Sequence, residues 1–335
     1  MTIRLAAIGA LALAFTGSAL AAYVPHLAVS HPAAGATRIH VTQVQTDNAT
    51  AHIAIFVPTG YMASLAQPVG TQIGTVTALV AATAISPDAK IPLTGTVTIG
   101  DQTNSTIATS VTGCTGTPTH AAVWLLTLTA AGSTLNVPVA VDPAAGAAAA
   151  VASYVIQTCF TSPATTAFGA KPLDANFQVK GIFTPPAGRL VWDSLFTPYT
   201  ADNGVPNPPG TAEVRAIALL PQAATLKAKA AKNRKVSVSG SVTAAGQPVP
   251  GATVLVYAGS KKLFTVKTGA SGTFAASGKL KKGSYSLQAK ASSGDADVTA
   301  GGCAPPTNPL APAGCVSATA SGVTASSATV RLKVK

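Results

Sequence analysis

"GQPVPGATVLVY", residues 246–257, places two prolines and two glycines ahead of a run in which apolar residues recur at every second position. Pro248 and Pro250 fix φ and offer no N–H to a ladder, so neither continues a central strand, while Gly251 permits a positive φ. In the run that follows, Ala252, Val254 and Val256 point one way and Thr253, Leu255 and Tyr257 the other. The stretch reads as a rigid link feeding a half-buried strand, which is architecture rather than chemistry.

The pattern extends outward. "VSVSGSV" (236–242) alternates before it, "KKGSY" (281–285) is a turn feeding a further strand, and "ATVRLKVK" (328–335) supplies a last one. On Gly240, Val242, Gly246, Pro248, Val249, Gly251, Ala252, Val254, Thr268, Gly272, Phe274, Leu280, Gly283, Tyr285 and Leu287, the stretch from about 234 to 291 resembles the carboxypeptidase-regulatory-like and bacterial Ig-like family of secreted modules. The resemblance implies an Ig-like or prealbumin-like β-sandwich with an accessory role: a spacer, a surface-protein repeat or a sugar-binding platform. Some related surface modules carry an internal Lys to Asn/Asp amide crosslink catalysed by a glutamate. No glutamate follows Glu213, so no such crosslink is expected in this module.

Upstream, "ATRIHVTQV" (36–44) and "TAHIAIFVP" (50–58) alternate across the turn residues "QTDNA", which predicts a hairpin. Further runs such as "PLTGTVTIG", "AAVWLLTLTA" and "AEVRAIALL" are separated by Gly, Pro, Asn or Asp. Strands so spaced argue for an all-β sandwich rather than βαβ units. One helix is expected within 142–160, "DPAAGAAAAVASYVIQTCF", with Asp142 as N-cap and Pro143 at the first helical position. The stretch from Pro25 to Tyr61 resembles the YcnI-type secreted domain, a β-sandwich associated with copper.

The chain opens with Arg4, an apolar run from Leu5 to Phe15 and Ala19-Leu20-Ala21, the pattern of a secretory signal over residues 1–21 with a mature start at Ala22. The apolar run is well short of the ~20 residues that span a bilayer, and "AAGAAAAVASYVI" (144–156) is shorter than that too, so no membrane span is expected after cleavage. Export agrees with the four cysteines, which lack C-x-x-C spacing and read as one disulfide per domain, Cys114 with Cys159 and Cys303 with Cys315. The secreted protein should therefore have the intact mass of a chain starting at Ala22, four hydrogens lighter than its reduced form. A peptide map linking either of the first two cysteines to either of the last two would overturn the pairing.

Only 10% of the 335 residues are charged, against about 25% in an average domain. The net charge of +12 is uneven: from Ala223 onward 15 Lys and Arg face Asp295 and Asp297, an excess of +13, and the preceding part carries −1. This shift, with the change in composition, predicts an N-terminal sandwich over 22–222 and a basic Ig-like module over 223–335. The lysines of "KAKAAKNRK" and "KLKK" fall in turns and on strand faces and suit diffuse contact with a polyanion.

Three sets of residues could carry chemistry. Trp192, Phe196 and Tyr199, with Asp193, could stack on and orient a sugar, or close the end of a sandwich core. His40 and His52 would share a face of the expected hairpin and could hold Cu or Zn, with His26 or His31 as a third ligand. Glu213 and seven aspartates could supply a glycosidase pair, but most of the aspartates stand in turn contexts, and no G-x-S-x-G, H-E-x-x-H or P-loop pattern occurs. The sequence thus points to a non-catalytic bacterial protein, secreted or associated with the cell envelope. It needs no cofactor, contacts no nucleic acid, and uses its basic C-terminal part on an anionic cell-wall polymer or glycan. A carbohydrate-binding accessory protein and an envelope copper-binding protein are the alternatives.

Overall fold

Described in the computed structural model are residues 23–33, 35–130, 132–166, 169–201, 204–298, 306–314 and 316–335. The signal segment, the Ala22 start, Cys303 and Cys315 lie outside the described residues. The first strands are β1 (His26–Ser30), β2 (Ala36–Thr42), β3 (Thr50–Pro58), β4 (Met62–Ala63), β5 (Gln72–Ala82), β6 (Lys90–Ile99), β7 (Ala122–Ala130), β8 (Ser133–Pro143) and β9 (Ala152–Cys159). Next come β10 (Ala170–Lys180), β11 (Phe183–Thr184), β12 (Gly188–Pro198), β13 (Ala212–Leu220), β14 (Gln222–Ala224), β15 (Lys227–Ala230), β16 (Lys235–Ala244) and β17 (Gln247–Pro248). The chain continues with β18 (Thr253–Ala258), β19 (Lys261–Lys267), β20 (Thr273–Lys279), β21 (Gly283–Ser292), β22 (Ala296–Asp297), β23 (Ser317–Ala320), β24 (Thr324–Ser326) and β25 (Val330–Val334).

The fold is an all-β sandwich. Thirteen strands form one sheet in the order β1-β2-β10-β5-β6-β7-β8-β9-β3-β12-β13-β23-β22. This sheet folds back on itself, so that β1 lies against β13 and β23, and the Val29 amide donates to Ser321 Oγ at 2.8 Å. Inside it Leu27, Ile39, Val57, Val97, Trp124 and Trp192 are fully buried. A second pair of sheets, β14-β16-β15 with β17 and β20 added, and β19-β18-β21-β24 with β25 added, encloses Val236, Val242, Val254, Val256 and Leu287.

The opening stretch behaves as its pattern demands. Gly246 and Gly251 take positive φ (78° and 71°), and Ala252, Val254 and Val256 are fully buried while Thr253, Leu255 and Tyr257 are half-buried. Thr268 pins the turn to the strand: its hydroxyl accepts from the Ala252 amide at 2.9 Å and donates to the Val249 carbonyl at 2.6 Å.

Two expectations fail. β2 and β3 do not form a hairpin: β2 pairs with β1 and β10, and β3 with β9 and β12. β3 is buried almost along its whole length because both its faces are covered: Ile53, Ile55 and Val57 enter the first core, and Ala54 and Phe56 pack on the other side against Ala148 and Ala152. The intervening loop crosses over the buried Lys171, whose ammonium donates to the carbonyls of Gln45 and Asp47. Nor is 142–160 a helix. β8 runs to Pro143, Gly146–Ala150 makes a single 3₁₀ turn, and Tyr154, Val155, Ile156 and Thr158 extend in β9 between β8 and β3. Gly146, at φ 56°, interrupts any helix started at Asp142, and β-branched residues fit the sheet better.

The α-helix is α1 (Ser105–Thr115) instead. The Asn104 side chain caps it by accepting from the amides of Thr106 and Ile107, and Gly116 ends it at φ 74°. Cys114, in its last turn, is disulfide-bonded to Cys159 at the end of β9, with Cα atoms 5.6 Å apart.

Candidate functional site

The aromatic stretch builds core, not a platform. Trp192 and Phe196 project from β12 into the first core with no exposure, and Tyr199 is 9% exposed. The Trp192 indole donates to the Tyr61 hydroxyl at 3.0 Å and meets the Tyr61 and Phe183 rings edge to face at 5.2 and 6.1 Å. Tyr199 donates to the Phe160 carbonyl. Every ring is occupied by protein, so a sugar has no face on which to stack, and the sugar-binding assignment of Trp192, Phe196 and Tyr199 is corrected to a packing role.

Asp193 points to the opposite side of β12, directly across from Arg215 on β13. Glu213, two residues before Arg215, accepts from that arginine's Nε at 2.8 Å and Nη2 at 2.5 Å. Asn308, from the segment flanked by the last two cysteines, places its side chain beside Asp193 and is 3% exposed. Burial and the neighbouring Glu213 charge push the Asp193 carboxyl up to about 7, against the opposing pull of the Ser194 amide and Arg215. Asp193 and Glu213 are 6% and 4% exposed, so this carboxylate pair is shut away from any glycan substrate.

A hydroxyl, imidazole and carboxylate also line up at the end of α1. Thr115 Oγ1 lies 3.2 Å from His120 Nε2, and His120 Nδ1 lies 2.7 Å from Asp142 Oδ2. The order is that of a nucleophilic triad, but the connections are structural. His120 Nε2 also sits 3.1 Å from the Thr117 carbonyl, a second neighbour that competes with Thr115 for this nitrogen. Thr115 donates to the Val111 carbonyl within its helix, Asp142 also takes the Ala121 amide, and the His120 side chain has no exposure. Asp142, expected as an N-cap, ties β8 to this corner instead.

His40 and His52 do not converge. His40 Nε2 pairs with Asp174 Oδ2 at 2.9 Å across β2 and β10, and with His26, Asp295 and Asp297 it lines a cleft of about 210 Å³. His52 stands on β3 opposite Cys159, and its Nε2 is buried without a hydrogen-bond partner among the described residues. Burial lowers the pKa of His52. His31 is held at about 4, also by burial, with Nε2 at 3.1 Å from the Tyr61 hydroxyl. Because β2 and β3 are not neighbours, a site made of His40 with His52 does not form.

What sequence reading missed is the outer face of β15, β16 and β20. Cross-strand register sets Lys227 opposite Ser239, Lys229 opposite Ser237, Lys235 opposite Lys279 and Ser237 opposite Ser277. All of these side chains are exposed, while Val236 and Val238 between them face the core. Lys227, Lys229, Ser237, Ser239 and Ser277 line an open hollow of about 620 Å³. No acidic residue lies between Glu213 and Asp295 to neutralise them. The period of two in "KAKA" and "KVSVS" is the signal that could have placed these residues together.

These features define an all-β sandwich protein with a basic, hydroxyl-bearing sheet face and no open catalytic constellation among the described residues. No protein-family profile matches the chain, and no curated protein matches it. Among solved structures it is similar to a tetra-tandem repeat from the extending region of a large adhesion protein, at 14% identity over 93% of this chain and 74% of that one, with a TM-score of 0.23.

Proposed function

We propose that the chain is an exported, non-catalytic structural or binding protein of the bacterial cell envelope. In this reading residues 22–222, joined by β22 and β23 from the later segment, form one sandwich, and the rest of the basic module over 223–335 contacts anionic wall polymer through the β15–β16–β20 face. The observation that carries the reading is that face: Lys227, Lys229, Lys235 and Lys279 together, beside serine hydroxyls, in a stretch of chain that has no acidic residue from 214 to 294. Successive outward residues of a strand stand roughly 7 Å apart, so the ammonium groups form a grid on which an extended polyanion can lie. No aromatic side chain lines the hollow, which fits an anionic chain held by charge, such as a phosphodiester polymer, better than stacked bases. Support for a non-catalytic role comes from the closure of the Asp193–Glu213 pair and the structural use of His120. The Cys114–Cys159 disulfide fits export, and no helix among the described residues is long and apolar enough to cross a membrane.

Full-length protein should be retained by isolated anionic wall material at low salt and released as salt rises through the physiological range, where the screening length is about 8 Å. Replacing Lys227, Lys229, Lys235 and Lys279 together with Gln should weaken retention by roughly tenfold or more. An equal loss of charge at Lys261, Lys262, Lys267 and Lys333 should have a much smaller effect. Equal losses in the two variants would leave only diffuse attraction. Retention unchanged at about 0.5 M salt, or absent at low salt, would sink the electrostatic reading altogether.

A further inference from the structure

We propose that the Cys114–Cys159 pair, once reduced, forms with His52 a site for a thiophilic d¹⁰ ion, Cu(I) or Zn(II). The ligands come from three elements: His52 from β3, Cys159 from the end of β9 directly opposite, and Cys114 from the last turn of α1. One donor atom from each lies within 4.8 Å of the others, so the set is gathered before any ion arrives. His52 Nε2 is the part of this corner that the disulfide-bonded state leaves unexplained. It is buried and has no hydrogen-bond partner among the described residues, whereas buried polar atoms in native structures nearly always have one. The sulfur atoms beside it are weak acceptors while they are joined to each other.

The chemistry of the set is selective. Two thiolates and an imidazole suit soft ions rather than Mg²⁺ or Ca²⁺. Two thiolates neutralise Zn(II), and the carbonyl end of α1 favours a cation beside Cys114. Cu(I) is satisfied by three ligands, and Zn(II) would take a water as its fourth. Cys159 lines a cleft of about 160 Å³ with Ser110, Asn136 and Thr161, which gives a reductant, the ion and that water a way in. A small-molecule dithiol supplies the two electrons and two protons that break the S–S bond and itself closes to a disulfide. On metal binding the two thiol protons leave to solvent.

The test is a titration of full-length protein, reduced with excess dithiol and desalted without oxygen, using Zn(II) and separately Cu(I) against a chromophoric competitor. Reduced wild type should bind one ion per chain more than reduced Cys114→Ser/Cys159→Ser, and oxidised wild type should bind no more than that variant. Reduced His52→Ala should bind at least about tenfold more weakly, since even outer-shell changes act on that scale. Binding of Cu(I) alone would assign a three-coordinate site, and binding of both ions would add the water ligand. Equal stoichiometry in reduced wild type and the double-serine variant would overturn the proposal, as would His52→Ala binding with undiminished affinity. If reduction alone unfolds the chain, the ion must restore its far-ultraviolet circular dichroism; a reduced chain that stays unfolded with the ion present overturns the proposal equally.

Discussion

Asp193→Asn should be more stable than the wild type at pH 8, by up to about 4 kcal/mol, and equal to it near pH 4. Asp193 has a folded pKa of about 7 against an ordinary 3.8, so between those values the folded chain binds more protons at this site than the unfolded chain. Its contribution to stability is complete below about pH 4 and is lost as pH rises through 7, with each tenfold change in the proton-binding equilibrium worth about 1.4 kcal/mol. The physical source is the pair of buried carboxyls sharing one arginine: with Glu213 already bound to Arg215, a second negative charge beside Asn308 has no counterion of its own. Asparagine keeps the shape and removes the charge.

The difference between the two proteins must be followed, not the wild-type profile alone. His31, held at about 4, binds fewer protons folded than unfolded from there to 6.5, so its contribution rises with pH across most of the same window, and the lowered pKa of His52 adds to it. These groups are common to both proteins and cancel in the comparison. Urea denaturation at pH steps from 4 to 8 would measure it. A difference that stays flat across the range would show that Asp193 is not the group that holds the proton.

The Asp193 cluster also shows where sequence reading stops. Strand content was legible because alternation and turn residues are local: the burial of Ala252, Val254 and Val256 follows from a twelve-residue quotation. Pairing was not, because β2 and β3 carry the same alternation as every other strand and nothing within either selects β10 or β9 as partner. The alanine run at 147–150 has high helix propensity, but it is flanked by Gly146 and by β-branched residues that the sheet claims, and tertiary packing overrides so short a preference. Asp193 stands beside aromatics that suit either a sugar platform or the end of a core, and nothing in the local sequence decides between them. Beside it lies Asn308, from a segment more than a hundred residues later, and β23 returns to pair in parallel with β13. The lysine face was half legible. The spacing of Lys227 and Lys229 was visible, but Lys235 and Lys279 join them only because β16 lies between β15 and β20.

The second large effect should come from the disulfide. Cys114→Ser/Cys159→Ser should lose about 4 kcal/mol of stability, since the bond closes a loop across a sequence separation of 45 and constrains the unfolded chain accordingly. Denaturant midpoints should fall and the slope should rise somewhat, because the unfolded chain without the crosslink exposes more surface. A local effect distinguishes this bond from a generic crosslink. α1 is mostly Ser and Thr, with Ala108 its one strong helix former and Gly113 near its end, has no acidic residue in its first turn and no basic residue in its last, and buries Val111 alone. Such a helix has little propensity and little packing to hold it, so its cap at Asn104, the Thr115–His120–Asp142 knot and the bond from Cys114 to β9 are its main anchors. Removing the bond should therefore release the amides of 105–115 to hydrogen exchange well before those of β9 and β3, which keep their ladder partners. If the helix amides of the double-serine variant stay as protected as those of the wild type, the knot at His120 suffices to hold α1 and the disulfide acts on the unfolded chain alone.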